Sequence, residues 1–569
     1  MKNKRIHAPA QRGIAFVTAL LMSVVMLILI GALLVQIAGD LSDVGNRGFD
    51  NRALYAADAG IQEFTEQMEV TAGNPASSYT YTTSSSDPQG MAYTVTLEKT
   101  WNSSNKYFLV TSRGQAGGNV RYVRAILETV PYSYWGNFTI SECFKNGGGR
   151  CQHYYIQDEA ITGPVYSGGP MHINYSSTPG LLPIFLGKVR TAQVPIWNDQ
   201  APAGSSSPDS ATPSPDGAWH NVLQGGKPDF LVDPNGLQLP GADKNFILAS
   251  EAWAGNSSSL TQSSGYVAPS SGKGLYVNQS LANSAGPSSA IASGLYIYGD
   301  VNMTSQAQSP NVDPGNNQTF TFTPVAGDPN SIPGSYTVNL NFSSNQTTVN
   351  YYAPPGRPGV SSPTSTLTYT GLPNGQQVNA SAGHQANGAI FVDGSVNLGQ
   401  NGTTDYMHGQ FTLGTPDPPV NGETISLLGN LKYRDDPRID PASTDMLGVW
   451  ANDVLIKDKV DQNVEFDGNL LTGSNGECTT TSGSSPCGDG TWYNPDIASS
   501  GNLGDWTIYG SLVENIPGFQ GDPIGGANQK GYADQYRYDA RAAVVPPPFF
   551  PDTNLYFVIA WQDLGVNPP

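Results

Sequence analysis

Charged residues are scarce in this chain: Lys, Arg, Asp and Glu make up 13% of its 569 residues, and acids outnumber bases 46 to 27. The resulting net charge of −19 argues against binding nucleic acid through a basic surface. No G-x-S-x-G, P-loop or dinucleotide-binding motif stands out in a strand-to-helix context, and the histidines lack metal-binding spacing. The sequence therefore predicts a protein that is not an enzyme.

Cysteine is also rare, with four residues in two local pairs: Cys143 with Cys151, and Cys478 with Cys487. In an exported chain this arrangement favours the disulfides Cys143–Cys151 and Cys478–Cys487, while the other two pairings of four cysteines remain open. Neither pair has the C-x₂₋₄-C spacing of a Cys₄ zinc site, which argues against thiolate metal binding.

Glycine (65), proline (43) and tyrosine (28) are plentiful, together with Ser, Thr and Asn. These residues populate turns and half-buried strands. The composition is that of an extracellular β-rich protein, and its length exceeds that of one average domain.

One long apolar run stands near the N-terminus. Lys2, Lys4, Arg5 and Arg12 precede it, and no charged residue occurs between Arg12 and Asp40. This length spans a bilayer, and no small-residue cleavage site ends it. Apolar residues then continue at helical spacing, at Leu54, Ala57, Ile61, Phe64 and Met68. We expect a leader over 1–13 and one helix over 14–72, with residues 14–38 in the membrane.

The segment Arg12-Gly13-Ile14-Ala15-Phe16-Val17, with Ala56-Ala57-Asp58-Ala59-Gly60 further on, resembles the N-terminal region of PilX-like minor type IV pilins. Pseudopilin K of type II secretion is a relative. The resemblance implies cleavage after Gly13 by a prepilin peptidase, and N-methylation of Ile14. A plain membrane anchor is the alternative for this segment.

Thr18 departs from the family pattern. Major pilins carry a glutamate at this fifth mature position, where it neutralises the N-terminal amine of a neighbouring subunit. A buried ammonium without that partner is costly. Lack of the acid favours a position at the filament tip, although some internal minor pilins also lack it.

Three strand-like runs follow the helix, at 91–100, 106–111 and 120–130, and predict a small antiparallel sheet. We therefore assign a β head to residues 75–130, a large distal β domain to 131–540, and a proline crossover with a last strand to 541–569. Insertions are expected at 198–218 and 305–380. The latter holds predicted strands at 336–342 and 348–352. The fold class is α+β.

A short phrase recurs in the distal domain, in which a strand-like run meets a glycine and then Val or Leu. Its glycines are Gly163, Gly299, Gly394, Gly429, Gly468 and Gly510, and the last four are 35, 39 and 42 residues apart. Short strands bent at a repeated glycine predict a β-solenoid or β-helix, in which successive coils stack. One or two β-sandwiches are the alternative, because the spacing is uneven.

Acidic clusters offer weak candidates for calcium binding, chiefly Asp435, Asp436 and Asp440. Oxygen-rich loops suit calcium, but no EF-hand pattern is present, and ordinary solvated turns explain these residues as well. Carboxylate pairs on a β-helix could also cleave glycans. No other cofactor is expected. Two further phrases, Asp445 to Asp453 and Tyr538 to Arg541, are similar to distal regions of some PilX-like pilins.

The resemblance and the large distal domain together predict a minor pilin at the pilus tip, which serves adhesion or primes assembly. Its expected partners are other pilins, the prepilin peptidase, the inner membrane before assembly, and a surface or glycan ligand. The expected location is the inner membrane, then the cell surface. A pilin-anchored polysaccharide hydrolase or lyase, and a type II secretion pseudopilin, are the alternatives.

Overall fold

We analysed a computed structural model of the chain. It describes residues 11–70, 78–82, 90–101, 107–141, 154–155, 159–169, 171–174, 183–192, 196–198, 222–225, 229–230, 237–253, 272–277, 294–307, 317–354, 362–372, 387–416, 423–457, 462–473, 492–495, 501–518, 521–522 and 530–566. The chain divides into two compact units. The head unit comprises residues 1–129 and 554–569, and the inserted unit comprises residues 130–553. Strands are numbered in chain order.

The head unit contains one long helix and one five-stranded sheet. The helix is α1 (Gln11–Val70), and the strands are β1 (Ser78–Thr82), β2 (Ala92–Trp101), β3 (Tyr107–Ala116), β4 (Asn119–Pro131) and β34 (Asp552–Gly565). Their order in the sheet is β1-β2-β3-β4-β34, and β1 to β4 pair antiparallel. The strands expected at 91–100, 106–111 and 120–130 correspond to β2, β3 and β4.

Small residues let α1 lie directly on the sheet. A Cβ atom at Gly114 of β3 would approach the carbonyl oxygen of Ala53 to 2.0 Å and the amide nitrogen of Ala57 to 2.3 Å. The second half of α1 then buries Ile61, Phe64 and Met68 against Val95, Phe108, Val110, Val123 and Leu127. The alanine-rich segment of the helix therefore serves close packing against β3.

The head sheet combines strands β1 to β4 with β34, which lies more than 400 residues later in the sequence. The sequence predicts a β head over residues 75–130 and a separate segment at 541–569, but β34 forms the fifth strand of the head sheet, beside β4. Tyr556 joins the core beneath α1, with its ring 5.7 Å from that of Phe108 in an edge-on contact. Residues 130–553 are therefore an insertion between the fourth and fifth strands of the sheet. Pairing between residues this far apart in sequence leaves no local signal.

The inserted unit consists mainly of short strands. Its first part contains β5 (Asn137–Thr139), β6 (Tyr154–Tyr155), β7 (Ala160–Ile161), β8 (Val165–Ser167), β9 (His172–Asn174), β10 (Ile184–Phe185), β11 (Val189–Thr191), β12 (Ile196–Asn198), β13 (Asp229–Phe230) and helix α2 (Ala242–Trp253). Its middle part contains β14 (Gly274–Tyr276), β15 (Leu295–Tyr298), β16 (Val301–Gln306), β17 (Asn317–Pro324), β18 (Ser335–Asn341), β19 (Gln346–Tyr352) and β20 (Ser365–Thr370).

The remaining strands are β21 (Asn387–Asp393), β22 (Val396–Leu398), β23 (Thr404–Met407), β24 (Gln410–Gly414), β25 (Thr424–Leu427), β26 (Asn430–Tyr433), β27 (Met446–Ala451), β28 (Asp453–Ile456), β29 (Val464–Thr472), β30 (Trp492–Tyr493), β31 (Asn502–Glu514), β32 (Gly521–Asp522) and β33 (Lys530–Arg537). Most of them pair in parallel with strands about one repeat away in sequence.

Three parallel ladders result. The first ladder runs through β15, β21, β24, β27, the second half of β29 and the second half of β31. The second ladder runs through β23, β26, the first half of β29, the first half of β31 and then β33. The third ladder runs through β16, β22, β25, β28 and β30. Parallel pairing does not suit the β-sandwich alternative, whose sheets are antiparallel.

The stack of strands does not follow chain order. β5, the first strand of the inserted unit, pairs with the end of β31, placing Asn137 opposite Leu512 and Phe138 opposite Val513. β8, β11 and β13 then continue the first ladder beyond β5. Two stretches, 137–230 and 295–513, are thereby joined at a seam between β5 and β31.

The repeated glycines lie at bends between ladders, but not at one equivalent bend. Gly299 and Gly394 lie between the first and third ladders, and Gly429 lies between the third and second. Gly468 and Gly510 lie inside β29 and β31, where each strand passes from the second ladder to the first. The spacing of these glycines in the sequence is uneven because they occur at different bends of the chain, and not at the same bend in each repeat.

The described part of the expected insertion at 305–380 forms a side extension. Strands β17 to β20 add antiparallel to β16, and they include the predicted strands at 336–342 and 348–352. The expected insertion at 198–218 lies almost entirely outside the described residues. The structure establishes a large all-β unit but not the closed coils of a β-solenoid, since its sheets are open.

Candidate anchoring helix and charged cluster

The first half of α1 exposes nearly all of its apolar side chains. Among the described residues it is the one helix long and apolar enough to cross a membrane, with a mean hydropathy of 2.8 in its most apolar window and none of that window buried. Exposed apolar surface of this size needs lipid or protein to cover it. The segment is therefore compatible with membrane anchoring, and equally with burial among other helices.

Gly13 and Ile14 lie in the first turn of α1, which begins at Gln11. The expected helix start at residue 14 is therefore close to the observed one. Thr18 lies within the exposed apolar segment. Processing at Gly13 and methylation of Ile14 stay predictions, because both concern chemistry that no contact in the structure reports. The four cysteines lie outside the described residues, so their pairing also stays a prediction.

A cluster of charged side chains lies on the second ladder and on the loop over 434–445. We call it the charged cluster, and its members are His408, Lys432, Arg434, Asp435, Asp436, Arg438, Asp445, Glu465, Asp467, Asp539 and Arg541. β23, β26 and β29 bring these residues together, because parallel pairing stacks positions about 30 residues apart in sequence. Of the acids in this cluster, only Asp435 and Asp436 are predicted from the sequence as site candidates.

His408 is the centre of one half of the charged cluster. Its Nδ1 lies 2.9 Å from Asp445 Oδ1 and 3.5 Å from Asp435 Oδ2. The Asp445 carboxylate also accepts hydrogen bonds from the amides of Gly409, at 2.8 Å, and Asp435, at 3.0 Å. Asp445 is almost fully buried, and these donors satisfy both of its oxygens. The arrangement ties the loop after β26 to the turn after β23.

Arg438 is the centre of the other half. Its guanidinium contacts Asp436 at 2.8 Å, Glu465, and Asp467 at 3.5 Å, and it lies over the ring of Tyr509 at 4.5 Å. Asp467 also accepts a hydrogen bond of 2.9 Å from the amide of Tyr433. One cation thus holds three carboxylates from two elements.

The two carboxylates of β29 differ in proton affinity. Burial and repulsion by Glu465 raise the pKa of Asp467 to about 7. Burial acts in the same direction on Glu465, but hydrogen bonds from Lys432 and Arg438 outweigh it and lower the pKa of Glu465. Such a separation is the pattern of an acid and base pair. The Asp467 side chain is 0% exposed, however, so it has no access to a bound substrate.

Arg541 joins two distant parts of the sequence. Its guanidinium donates to the carbonyl oxygens of Ser443, at 2.7 Å, and Asp445, at 3.0 Å, while Asp539 holds it from the other side at 2.6 Å. The phrases at Asp445 to Asp453 and Tyr538 to Arg541, singled out separately in the sequence, therefore meet at this arginine.

The three calcium candidates have separate partners. Arg434 binds the carboxylate of Asp435, Arg438 binds that of Asp436, and the amide of Ala442 donates to Asp440 at 3.0 Å. A calcium ion would have to displace two arginines. Three groups of metal-ligating type do converge nearby, since one donor atom each from His408, Asp435 and Asp445 lies within 4.8 Å of the others. These atoms already bind one another or backbone amides, which favours a structural role for the cluster.

No protein-family model and no curated protein matches the chain. Among solved structures, it is similar to the crystal structure of the competence-associated pilin ComZ from Thermus thermophilus, at 11% sequence identity over 91% of this chain and 98% of that one. The TM-score of 0.24 is too low to establish a shared fold.

Proposed function

We propose that this protein is a minor subunit of a type IV pilus, which enters the filament through α1 and displays the inserted unit at the tip. The observation that carries the proposal is the organisation of the head unit. The first half of its helix exposes apolar side chains that need to be buried. Residues 130–553 are inserted between the strands β4 and β34 of its sheet. An insertion attached at both ends suits display on a scaffold.

We further propose that the three parallel ladders are faces of a β-solenoid. Parallel pairing between strands about one coil apart, and glycines at the bends, are what stacked coils require. A rigid stack of this kind would present its loops for adhesion to a surface or glycan. A role in priming pilus assembly is compatible with the same architecture.

A carbohydrate-cleaving enzyme is the second candidate. The opposite pKa shifts of Glu465 and Asp467 favour it, whereas the complete burial of Asp467 opposes it. We propose that the protein is not an enzyme. Release of reducing ends from surface polysaccharide by the purified full-length chain, abolished by Glu465→Gln, would contradict this.

Deletion of the inserted unit tests whether it serves attachment or is also required for pilus assembly. The amide of Tyr132 donates to the carbonyl oxygen of Pro551 at 3.1 Å, so a linker of a few Gly and Ser residues can replace residues 133–550 without strain. We expect cells with this variant to make normal numbers of pili and to lose attachment. The control is the full chain expressed at the same level. Pili that still attach normally would refute the display role, and loss of pili would point to priming by the inserted unit.

Thr18 tests the position in the filament. Thr18→Glu supplies the carboxylate that a neighbouring amine would pair with, so we expect immunogold label to spread from filament ends along the shaft. Thr18→Ser is the matched control and should leave the label at the ends. Label already scattered along filaments of the unmodified protein would refute the tip assignment.

A further inference from the structure

Strands β16 to β20 form an antiparallel sheet with two different faces. Their pairing places Met303 opposite Phe322, and Phe320 opposite Val338. These four side chains lie on one face of the sheet, where they join the core of the inserted unit. Because side chains alternate along a strand, the residues between them lie on the other face.

This outer face consists of threonine, asparagine and glutamine. We call it the amide–hydroxyl face, and its members are Asn302, Thr304, Gln306, Asn317, Thr319, Thr321, Thr323, Thr337, Asn339, Asn341, Gln346, Thr348, Asn350, Thr366 and Thr368. Each of them is half-buried or exposed, and none is charged, aliphatic or aromatic. The five strands contain no Lys, Arg, Asp or Glu at all. Exposed surfaces usually hold about 25–35% of these charged residues, so the outer face is unusual in composition.

The members of the amide–hydroxyl face form rows across the strands. One row runs through Thr304, Thr321, Thr337, Asn350 and Thr366, and the next runs through Gln306, Thr319, Asn339, Thr348 and Thr368. Neighbouring strands lie about 4.8 Å apart, and successive members of one strand lie about 6.7 Å apart. Polar groups are therefore repeated at regular intervals in two directions, over roughly 19 Å across the five strands.

Hydrogen bonds within the rows orient these polar groups. The hydroxyl of Thr319 donates to the side-chain oxygen of Asn339 at 2.8 Å. The hydroxyl of Thr366 donates to the side-chain oxygen of Asn350, also at 2.8 Å. Side chains held in this way lose less conformational entropy when a ligand binds. The face is thus pre-organised for a ligand that forms many hydrogen bonds.

The chemistry of the amide–hydroxyl face selects a class of ligand. Its lack of charge does not suit nucleic acid, phosphate or a charged peptide, which are recognised through ion pairs. Its lack of aromatic and apolar side chains does not suit a protein or a lipid, whose binding depends on such anchors. Hydroxyl groups both donate and accept hydrogen bonds, in the side chains of this face as in sugars. A neutral polysaccharide matches these properties, and it carries no charge that the net −19 of the chain would repel.

We propose that the amide–hydroxyl face binds a neutral polysaccharide whose chain lies across several rows. The inference rests on the display role proposed above, and it names the ligand class and the surface that binds it. One hydrogen bond to a sugar contributes only about 1 kcal/mol in water, because it replaces a hydrogen bond to water. A single sugar therefore binds weakly, whereas a polymer that contacts several rows at once binds more tightly.

Co-sedimentation of the purified full-length protein, in detergent, with insoluble polysaccharides tests the proposal. Cellulose, chitin and starch granules are the neutral probes, and alginate beads are the anionic comparison. We expect saturable binding to at least one neutral polymer and no binding to alginate. Equal binding to alginate, or binding to none of the three neutral polymers, would overturn the proposal.

Lysine substitutions test whether the amide–hydroxyl face is the binding surface. Thr321→Lys combined with Thr348→Lys places two flexible cations near its centre and should raise the dissociation constant for the neutral polymer at least tenfold. Circular dichroism and thermal unfolding should stay unchanged, because both positions are partly exposed. Asn401→Lys combined with Thr404→Lys adds the same charge outside the face, and this matched control should bind like the unmodified protein.

A milder variant separates hydrogen bonding from charge. Thr321→Val combined with Thr348→Val keeps the β-branched shape and removes two hydroxyls, so it should weaken binding several-fold without loss of folding. Binding that neither the valine nor the lysine pair weakens would show that the polysaccharide binds elsewhere, and would overturn the proposal.

The display role has a separate readout in cells. Loss of attachment on deletion of the inserted unit, with normal attachment of the lysine variant to a polysaccharide-coated surface, would leave display standing and refute the amide–hydroxyl face as the binding surface. Binding by the purified protein, with normal attachment of cells that lack the inserted unit, would refute the display role alone.

Discussion

At the scale of single residues, the buried carboxylates of the inserted unit are its most informative feature. Burial raises the pKa of Asp467 to about 7, and raises those of Asp300, Asp393 and Asp405 to about 6. The folded unit therefore retains protons up to pH 6 or 7 that the unfolded chain releases near pH 4. By linkage, these groups stabilise the fold at low pH, and the stabilisation is lost as the pH rises through 6 to 7.

This predicts a stability that falls between pH 5 and pH 8. The lowered pKa values of Glu465 and Asp436 make the fold less stable as the pH falls toward 4. They therefore do not cancel the loss of stability between pH 5 and pH 8. Asp467→Asn mimics the protonated acid and keeps an acceptor for the amide of Tyr433. We expect it to reduce the difference in melting temperature between pH 5 and pH 8 by about 2 °C, measured by circular dichroism.

Asp440→Asn is the matched control for this measurement. Asp440 belongs to the same acidic segment but is exposed, and its carboxylate contacts only the nearby amide of Ala442. Its substitution should leave the pH dependence unchanged. An identical pH dependence in Asp467→Asn and the unmodified protein would show that Asp467 is ionised throughout, held by Arg438.

At the scale of strands, the glycines at the bends determine how closely successive strands stack. Gly510 has a φ of +154°, and a Cβ atom there would lie 2.0 Å from the carbonyl oxygen of Gly468 in the adjacent strand. The same close approach occurs at Gly187, where a Cβ would lie 1.9 Å from the carbonyl oxygen of Gly163. Backbone cannot yield to a methyl group as a flexible side chain can, so glycine is required at these positions.

Gly510→Ala should accordingly destabilise the inserted unit by about 3 kcal/mol, since it combines overpacking with an unfavourable backbone conformation. Gly501→Ala, nine residues away at the start of the same strand region, is the control, because a Cβ there meets nothing within 4 Å. Urea unfolding followed by tryptophan fluorescence measures both, as Trp492 and Trp506 are buried in this region. Equal midpoints for the two variants would contradict the stacking argument.

At the scale of the whole molecule, the last strand, β34, lies in the same sheet as the first four strands. Helix α1 and strands β1 to β4 and β34 build the head unit, and residues 130–553 are an insertion whose own first strand, β5, lies at a seam in the middle of the stack. The head unit therefore contains pairings with very large sequence separation. Such contacts form late in folding, because loop closure must precede them.

Truncation after Pro551 tests this dependence. Removal of β34 takes Tyr556 from the core beneath α1 and Asp563 from Arg121, so the head unit should lose its protection while the inserted unit stays folded. Limited proteolysis should then cleave within residues 90–129 at least tenfold faster than in the full chain. Truncation after Val566 is the control and should have no effect. Resistance of the head to cleavage without β34 would show that β1 to β4 suffice.

The sequence by itself determined the helices, strands and bends that depend on local residue patterns. The uncharged run after Arg12 required an exposed apolar helix, the alternating runs between 91 and 130 required an antiparallel meander, and the glycine phrases marked real bends. Only the tertiary structure decided the long-range pairings: β34 beside β4, β5 beside β31, and Arg541 on the loop at Asp445. Periodicity reports which face of a segment is buried. It carries no information about which distant segment covers that face, because many strands have interchangeable apolar faces.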